Sequence, residues 1–291
     1  MSASKTVVFV TGCSKGGIGF ALCEEFATRE CIVYATARRM EAMEGFTSPN
    51  IHTLTLDVTK DESVQSVIET VIEREGQIDV LVNNAGLGHT GPIIDTDMEE
   101  IVRVFETNVF SVIRMAKAVI PHMAARKSGT IVNVGSIFGE IPVPWGGLYS
   151  SSKAALHTLS DTLYMECKPF NINVVLLVPG GVRSNIVNNQ SGPERLKFPE
   201  NSLYADYVDS ILTKLTASQR GNPTPADVFS KQVVGAVLKP NPPRYLTLAR
   251  MSGVFWLFTW LPRTWILNYF WRIFGERPRL AAQKQKQEQR G

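Results

Sequence analysis

Short apolar runs alternate with longer amphipathic segments along the first 250 residues. Runs of this length predict buried strands, and apolar residues at helical spacing predict helices between them. The predicted strands are 7–10, 32–36, 52–56, 80–82, 129–134, 173–178 and 245–248. Such alternation is typical of βαβ units, in which helices cover both faces of a parallel sheet. We therefore expect an α/β fold, a doubly wound parallel sheet that forms a single domain over 1–249.

Two long helices and one long loop are predicted within this pattern. Helical spacing predicts a helix over 97–125 and another over 149–168, and the two should pack side by side. The alternation stops between 183 and 225, where one helix is predicted at 204–216 within a polar segment, and a further helix follows at 226–238. Open α/β sheets bind ligands beyond the carboxyl ends of their strands, so we interpret 183–225 as a variable substrate loop.

The segment 250–275 is rich in aromatic residues and contains four of the five tryptophans, Trp256, Trp260, Trp265 and Trp271. A helix that spans a bilayer needs about 20 apolar residues, and here a proline and polar residues interrupt the run. A helical hairpin in the plane of a membrane surface fits better, because Trp and Arg favour the headgroup layer. The alternative is that the segment covers the substrate pocket or a dimer interface. The polar remainder, 276–291, is predicted to be disordered.

Charge is unevenly distributed along the chain. The net charge is +3, but from residue 244 onward nine Lys and Arg stand against two Glu, so this end carries +7 and the rest −4. A slightly acidic body offers no basic footprint for nucleic acid, whereas a basic aromatic end suits an anionic membrane surface or an acidic partner. The four cysteines show no metal-ligand spacing or disulfide density, and the first residues show no secretory signal. We therefore expect no metal, and a protein that is not secreted.

The first predicted strand leads into a glycine-rich sequence at 11–19, Thr-Gly-Cys-Ser-Lys-Gly-Gly-Ile-Gly, and a helix is predicted at 20–29. Glycines let the backbone approach a pyrophosphate closely, and the helix N-terminus offers free N–H groups and a positive dipole end. This context predicts a Rossmann-type dinucleotide site; the alternative is a tight structural turn. The candidate cofactor-binding residues are Gly12, Ser14, Lys15, Gly17, Ile18 and Gly19.

The end of the second predicted strand indicates which dinucleotide fits. NAD sites place an acidic residue about 20 residues beyond the glycines, where it binds the ribose 2′-hydroxyl. This chain has Arg38 and Arg39 there and no carboxylate. Guanidinium groups bind a phosphate through charge-assisted, forked hydrogen bonds, so a 2′-phosphate and hence NADP(H) is favoured. The alternative is two solvated arginines that open a loop.

Further motifs follow along the chain, namely Asp57-Val58, Asn83-Asn84-Ala85-Gly86, Asn108, Ser136, Tyr149-Ser150-Ser151-Ser152-Lys153 and Pro179-Gly180-Gly181-Val182. Together with the glycine loop they resemble the short-chain dehydrogenase/reductase family over roughly 5–249. The resemblance implies a Rossmann-type fold and oxidoreductase activity. The glycine loop is one residue longer than is usual in that family, which leaves open whether Gly16 or Gly17 takes the middle position.

The resemblance also implies contacts with the cofactor. Asp57 would receive the adenine amino group, and Val58 would add a backbone contact. Asn83 and Ala85, followed by Gly86, would line the adenosine and steady the sheet. The alternative for this second motif is a strand-ending turn, since Asn and Gly suit a left-handed backbone. At the nicotinamide and phosphate end, the resemblance implies contacts from Pro179, Gly180, Val182 and Ser184.

Reduction of a carbonyl needs a hydride for the carbon and a proton for the oxygen. Tyr149 is the candidate acid, but a free phenol has a pKa of about 10, so its anion must be stabilised. Lys153 lies one helical turn further along the same face, where its ammonium would favour the tyrosinate. The alternative for these two residues taken alone is a surface pair.

The resemblance completes this pair to a tetrad. It implies that the Ser136 hydroxyl donates to the substrate oxygen, and that Asn108 distorts its helix and fixes a water near Lys153. Asn108, Tyr149 and Lys153 are also expected at the cofactor, with Lys153 at the nicotinamide ribose. The histidines are scattered and lack metal-ligand spacing. His157 is expected to pack or to lie at the surface. For His89 a position at the pocket edge is the less favoured alternative.

Within the family, 34–39, 166–170 and the aromatic end resemble the fungal branch of 1-acyldihydroxyacetone-phosphate reductases. That branch implies NADPH, a hydrophobic lipid substrate whose phosphate would meet Arg183 or Lys197, and the cytosolic face of the endoplasmic reticulum or lipid droplets. The body also resembles retinol and 17β-hydroxysteroid dehydrogenases, and a tailoring reductase of secondary metabolism fits as well. A non-enzymatic alternative is a nucleotide-binding scaffold on a lipid surface. A homodimer would use the two long helices, which are the usual dimer face of the family.

Overall fold

The computed structural model describes residues 5–185, 199, 201–219 and 221–288. Its centre is a seven-stranded sheet with the order β3-β2-β1-β4-β5-β6-β7, in which all neighbouring strands are parallel. The strands are β1 (Val7–Thr11), β2 (Ile32–Ala37), β3 (Ile51–Thr55), β4 (Val80–Asn83), β5 (Gly129–Val134), β6 (Ile172–Pro179) and β7 (Tyr245–Leu248). Each predicted strand is confirmed to within one residue at either end. The strand order reverses at β1, so the predicted doubly wound sheet is confirmed.

Helices cover both faces of this sheet. The helices of the body are α1 (Ile18–Thr28), α2 (Asp61–Glu75), α3 (Met98–Phe105), α4 (Ser111–Arg126), α5 (Ile137–Glu140), α6 (Gly147–Cys167), α7 (Val208–Thr216) and α8 (Ala226–Val237). The helix predicted over 97–125 is found as α3 and α4, joined by the π-helical turn Glu106–Phe110. The helix predicted at 149–168 is α6, and the one predicted at 204–216 is α7, which is shorter than expected.

Burial on both faces explains why the central strands are continuous apolar runs. All residues of β1, β4 and β5 are buried. Alternate residues of a strand point to opposite faces, so Val8 and Val10 belong to a hydrophobic cluster closed by α1 and α8. Val7 and Phe9 belong to a second cluster, closed by α2, α4 and α6. The two clusters hold the sheet rigid, and its carboxyl edge is where the loops carrying the candidate site emerge.

The C-terminal segment folds back onto the body. It comprises α9 (Ser252–Phe258), α10 (Arg263–Trp271), the π-helical turn Arg272–Glu276 and α11 (Arg277–Glu288). Helices α9 and α10, which we call the C-terminal hairpin, bury Phe255, Ile266 and Phe270 in a third hydrophobic cluster with α5 and β6. Among the helices that the structure describes, none is both long enough and apolar enough to cross a bilayer.

The prediction that 276–291 is disordered is wrong for most of that range, because Arg277–Glu288 form α11. This helix packs against the α7 region through Arg279. The Arg279 guanidinium carbon lies 4.7 Å from the ring centroid of Tyr207, a guanidinium N–H donates to the Tyr207 hydroxyl at 2.8 Å, and another nitrogen lies 3.8 Å from Asp206. Contacts between polar side chains leave no apolar periodicity in a sequence, so composition did not indicate them.

Candidate active site

Two adjoining clefts lie along the carboxyl edge of the sheet, with volumes of about 380 and 360 Å³. Both volumes are typical of small-molecule sites. The first lies over the loops that follow β1, β2, β3 and β4, and we call it the glycine-loop cleft. The second, which we call the tyrosine cleft, contains Ser136 and Tyr149 and continues under the C-terminal hairpin. Ile18 and Ser184 border both clefts, so a ligand in one would reach the other.

The glycine-loop cleft brings together most of the predicted cofactor-binding residues. Those that line it are Gly12, Ser14, Gly17, Ile18, Arg38, Arg39, Asp57, Val58, Ala85, Gly86 and Ser184. They come from five separate loops and are far apart in the sequence. Their convergence on one elongated cleft at the reversal point of the strand order is the arrangement expected for a dinucleotide site.

The glycine loop shows how the extra residue is accommodated. Gly12 has a φ of 73°, and a Cβ there would lie 2.7 Å from the Cα of Ala85, so only glycine permits this approach between the β1 and β4 loops. Gly16 also has a left-handed backbone, with a φ of 75°, and does not line the cleft. Gly17 lines the cleft and caps the N-terminus of α1. The middle position therefore belongs to Gly17, and Gly16 absorbs the additional residue.

At the far end of the glycine-loop cleft, positive charge surrounds one ordered carboxylate. Arg38 and Arg39 are exposed on the rim. Burial alone would raise the pKa of Asp57, but hydrogen bonds from the Thr59 backbone and hydroxyl, at 3.0 and 2.7 Å, and the charge of Arg38 lower it. Asp57 is therefore ionised and fixed in orientation, which suits an acceptor for an amino group.

Five predicted cofactor residues do not line either cleft, namely Gly19, Lys15, Asn83, Asn108 and Lys153. Gly19 packs behind the loop, where a Cβ would lie 2.6 Å from the Gly12 carbonyl oxygen. The Lys15 N–H donates to the carbonyl oxygen of Ala42 at 2.8 Å, and its side chain passes Gly45 instead of entering the cleft. Contact of these two residues with the cofactor stays a prediction.

Asn83 is the third. Its side chain is buried, and its amide donates to Asn133 Oδ1 at 2.9 Å, while Asn133 donates to Ser160 Oγ at the same distance. This chain of hydrogen bonds links β4, β5 and α6, so the expectation that Asn83 steadies the sheet is confirmed. Its side chain points into the sheet and away from the cleft, so a contact between Asn83 and the adenosine stays a prediction. Asn84 lines the cleft in its place.

In the tyrosine cleft, two elements bring the reacting side chains together. Ser136 follows β5 and caps α5, accepting the Phe138 N–H at 3.2 Å. Tyr149 stands in the first turn of α6, half-buried, and its hydroxyl is hydrogen-bonded to Ser136. Pro179, Gly180 and Val182, which follow or end β6, line the same cleft beside them. A carbonyl oxygen placed between the two hydroxyls would meet a donor and an acid at once.

Lys153 lies one turn along α6 from Tyr149, as predicted. Its ammonium donates to the Val134 carbonyl oxygen at 2.7 Å and lies 5.9 Å from the Tyr149 ring centroid. Burial lowers the pKa of Lys153 to about 8. Burial raises the pKa of Tyr149, and the hydrogen bond with Ser136 lowers it. That the Lys153 ammonium favours the tyrosinate stays a prediction, which its position near the ring allows.

Asn108 lies within the π-helical turn, which confirms the expected distortion of its helix. Its amide donates to the Leu87 carbonyl oxygen and to Ser152 Oγ, both at 2.9 Å, and its Oδ1 accepts the Leu87 N–H at 2.7 Å. These bonds tie the loop after β4 to α6. Asn108 and Lys153 lie directly behind Gly86, since a Cβ on that glycine would be 3.4 Å from Asn108 Oδ1 and 3.6 Å from Lys153 Nζ. Both therefore support the wall of the glycine-loop cleft without lining it.

Sequence reasoning gave His157 only a packing role, and the structure shows a specific one. Its Nε2 accepts the backbone N–H of Ser136 at 3.2 Å. Burial, followed by the charge of Lys153, lowers the pKa of His157 to about 4, so the ring is neutral near pH 7 and can accept that bond. The signal in the sequence was the position of His157 one turn beyond Lys153 on the buried face of α6.

Among the candidates for a substrate phosphate, Arg183 is exposed and does not line the tyrosine cleft, and Lys197 lies outside the described residues. His89 does not line it either, and its ring lies 3.3 Å from Thr96 Oγ1. A cation that does line the tyrosine cleft with Ser136 and Tyr149 is Lys214 of α7. No motif marked it, because a single lysine in a polar helix is usually solvated.

The C-terminal hairpin and the turn after it form one wall of the tyrosine cleft. The residues that contribute are Met251, Val254, Phe255, Phe258, Tyr269, Phe270, Ile273 and Phe274. Trp145 anchors this wall by donating its indole N–H to the Phe274 carbonyl oxygen at 2.8 Å. The sequence left open whether 250–275 lies on a membrane surface or covers the substrate pocket. The inner face of this segment does cover the tyrosine cleft.

Comparison with known proteins agrees with this geometry. The sequence profile described as short chain dehydrogenase matches residues 6–195. An NADPH-dependent 1-acyldihydroxyacetone phosphate reductase of Schizosaccharomyces pombe is 41% identical over 214 residues, which are 73% of this chain and 72% of that protein. A short-chain dehydrogenase of Penicillium crustosum is 35% identical over 261 residues, 89% of this chain and 94% of the relative.

A solved structure agrees as well. The crystal structure of a short-chain dehydrogenase from Streptomyces avermitilis superposes with a TM-score of 0.76 at 32% identity, covering 87% of this chain and 91% of that one. The profile matches most of the body, the relatives align over nearly the whole chain, and the two clefts contain the expected residues. The chain therefore belongs to the short-chain dehydrogenase/reductase family of oxidoreductases.

Proposed function

We propose that the protein is an NADP(H)-dependent reductase of a hydrophobic carbonyl compound, most specifically of a lipid such as 1-acyldihydroxyacetone phosphate. The observation that carries this proposal is the composition of the tyrosine cleft. Ser136 and Tyr149 stand on one wall of it, and the aromatic and aliphatic side chains of the C-terminal hairpin form the opposite wall. A hydrocarbon chain would bury apolar surface against that wall while its carbonyl faces the two hydroxyls.

The preference for NADP(H) over NAD(H) rests on the rim of the glycine-loop cleft. Strand β2 ends at Ala37, and Arg38 and Arg39 follow where a carboxylate would bind a free ribose hydroxyl. Two guanidiniums can hold a 2′-phosphate through forked hydrogen bonds. The relative from S. pombe is named NADPH-dependent, which supports the same assignment.

The chemical step follows from the placement of the hydroxyls. The cofactor, when bound, supplies a hydride to the carbonyl carbon. The Ser136 hydroxyl donates a hydrogen bond to the carbonyl oxygen and holds it against Tyr149, whose phenolic proton passes to that oxygen as it gains charge. The products are a secondary alcohol and a tyrosinate, which regains its proton from solvent. Lys153, whose Nζ lies 3.6 Å from the position of a Cβ on Gly86, would hold the nicotinamide ribose.

We further propose that the C-terminal hairpin rests on a lipid surface, at the cytosolic face of the endoplasmic reticulum or on lipid droplets. Its inner face is buried, but Trp260 is 74% exposed, Leu257 56%, and Trp256 and Trp265 54% each. Contiguous exposed apolar residues on one side of a domain mark a contact surface. Arg272 and Arg277 are exposed beside this face and suit anionic headgroups. A lipid substrate would then enter the cleft directly from the surface.

The direct test is a carbonyl screen with the purified full chain. We expect NADPH oxidation with 1-palmitoyldihydroxyacetone phosphate, with NADH at least tenfold less effective in kcat/KM, and recovery of the corresponding secondary alcohol. Retinal, a steroid 17-ketone and a small polar ketone serve as comparison substrates. If retinal or the steroid is reduced as well as the acyl keto-phosphate or better, the proposed substrate would be a retinoid or a steroid instead. No turnover with any hydrophobic carbonyl would overturn the proposal.

A further inference from the structure

Lys214 is a buried cation inside the tyrosine cleft. It belongs to α7, and its side chain crosses to the start of α6, where its Nζ lies 3.3 Å from the position that a Cβ on Gly146 would occupy. Tyr149 follows Gly146 by three residues, which is about 4.5 Å along a helix axis. The ammonium therefore lies about one helical turn from the residue that carries the reacting phenol, and it faces the same cleft as Ser136 and Tyr149.

The partners of Lys214 are all neutral. Its ammonium donates to the His89 carbonyl oxygen at 3.0 Å and to Thr90 Oγ1 at 2.8 Å. An ammonium has three protons to donate, so these bonds leave one. Among the described residues, no Asp or Glu lies within ion-pair distance of Lys214, and none lines the tyrosine cleft.

An ammonium in such surroundings carries an unbalanced charge. Lys214 has only 9% of its surface exposed, and burying a charge without an opposite one is strongly unfavourable. Burial lowers the pKa of Lys214 to about 7, which expresses that cost. No carboxylate is found among the described residues that line the cleft. An anion entering the cleft would balance this charge.

We propose that Lys214 binds an anionic group of the substrate, so that the tyrosine cleft accepts an anionic amphiphile. The charged group lies at Lys214, the reacting carbonyl lies a few bonds away between Ser136 and Tyr149, and the hydrocarbon extends along the C-terminal hairpin. This inference rests on the proposed function and narrows it: a ketone with a phosphate or carboxylate near its carbonyl is favoured over neutral retinoids and steroids. It also replaces Arg183, which is exposed outside the cleft, as the residue that meets a substrate phosphate.

The alternative is that Lys214 only ties α7 to the loop at His89 and Thr90. Both roles predict that its loss lowers the unfolding midpoint, so stability cannot separate them. They differ in substrate preference. A tie between two elements would affect all substrates alike, whereas an anion site acts only on the charged ones.

The test compares two ketones that differ in one charged group, 1-palmitoyldihydroxyacetone phosphate and the uncharged 1-palmitoyldihydroxyacetone, with the purified full chain and NADPH. In the unmodified protein we expect kcat/KM to be at least tenfold higher for the phosphate ester. Lys214→Met should lower this ratio at least tenfold, through KM for the ester, and Lys214→Arg should restore part of it. Lys231→Met, which removes an exposed lysine of α8 outside both clefts, is the matched control and should leave the ratio unchanged.

Each outcome decides a different claim. If the unmodified protein reduces both ketones equally well, the role of Lys214 is wrong while the proposed function stands, and this comparison needs no variant to fold. If Lys214→Met slows both substrates in the same proportion, Lys214 is a structural tie. If the unmodified protein reduces neither ketone, the proposed function itself fails. If the phosphate ester is preferred and Lys214→Met abolishes that preference, a carboxylate analogue of the ester shows whether Lys214 accepts any anion or only a phosphate.

Discussion

At the scale of single residues, the chemistry of the site depends on three side chains whose environments differ. Burial raises the pKa of Tyr149 and lowers that of Lys153, so both groups are driven toward their neutral forms. The hydrogen bond from Ser136 opposes this at Tyr149. His157 in turn holds the Ser136 backbone. Ser136 is therefore expected to tune the acid as well as to bind the substrate oxygen.

Replacing Ser136 tests this role through pH dependence. In alcohol oxidation Tyr149 must act as a base, so the rate rises as pH passes upward through its pKa. Ser136→Ala removes the hydrogen bond that lowers the pKa and leaves the burial that raises it. The rise in kcat/KM should move to higher pH, and the rate at neutral pH should fall on the order of 100-fold. The measurement is kcat/KM for oxidation of the secondary alcohol from about pH 7 to about pH 11, because the pKa of Tyr149 lies above its usual value.

A matched control is Ser151→Ala. This hydroxyl is exposed on α6 and bonds only to the Leu148 carbonyl oxygen, at 2.9 Å. Its loss should leave the pH profile in place. A profile that stays in place for Ser136→Ala as well would show that Ser136 does not set the acidity of Tyr149.

Residue types and their spacing along one helix indicate Tyr149 and Lys153, and the resemblance to the family supplies Ser136 and Asn108. The same reasoning could not find Lys214. A lone lysine in a polar helix carries no signal of burial, and only tertiary packing places it in the cleft. Nor could it show that the Asn83 side chain points into the sheet, since the face to which a strand-ending side chain points depends on where the strand stops.

At the scale of elements, the glycine loop joins β1 to α1 and must approach the β4 loop closely. Its extra residue is absorbed at Gly16, so the loop still presents Gly17 to the cleft. The sequence identified the loop and its context but not which glycine takes the middle position, because that depends on backbone dihedral angles. The π-helical turn at Asn108 is similar in that the resemblance implied a distortion but not the hydrogen bonds to Leu87 and Ser152.

Two glycine-to-alanine changes should have opposite effects. Gly12→Ala places a Cβ 2.7 Å from the Ala85 Cα on a left-handed backbone, so the β1 and β4 loops must separate. We expect a lower unfolding midpoint and NADPH binding weakened at least tenfold. Gly235→Ala introduces the same methyl group inside α8, where nothing lies within 4 Å. It should raise stability by about 0.5–1 kcal/mol and leave NADPH binding unchanged.

The measurements are thermal unfolding and NADPH fluorescence titration on both variants. Unchanged NADPH affinity in Gly12→Ala would show that the close approach of the two loops is not needed for the cofactor. Destabilisation by Gly235→Ala would show that α8 is not packed as described.

At the scale of the whole molecule, the C-terminal hairpin connects the active site to its surroundings. The density of aromatic residues was evident in the sequence, but a membrane surface and a pocket wall both need an apolar face, so the sequence left the choice open. The structure assigns the inner face to the tyrosine cleft and leaves large apolar side chains exposed on the outer face. The doubly wound body, in contrast, followed from apolar periodicity alone, because strands buried on both faces have an unmistakable pattern.

The outer face can be tested without disturbing the inner one. Replacing Trp260 and Trp265 together by Ser removes two exposed indoles and should reduce flotation with phosphatidylcholine–phosphatidylserine vesicles at least fivefold. Turnover of a ketone presented in detergent should change less than twofold. Met98→Ser and Ile94→Ser, which remove exposed apolar side chains of the body, are the matched control and should not alter flotation. Flotation of the Trp variant equal to that of the unmodified chain would contradict the proposed lipid contact.

The central claim is that the Tyr149 phenol gives its proton to a carbonyl oxygen beside the bound dinucleotide. The most direct test is Tyr149→Phe, measured both as turnover of 1-palmitoyldihydroxyacetone phosphate and as the dissociation constant of NADPH. The account predicts a loss of turnover of about 100-fold or more with NADPH affinity preserved within about twofold, since only the hydroxyl is removed. Turnover that persists at more than a tenth of the original rate would contradict it.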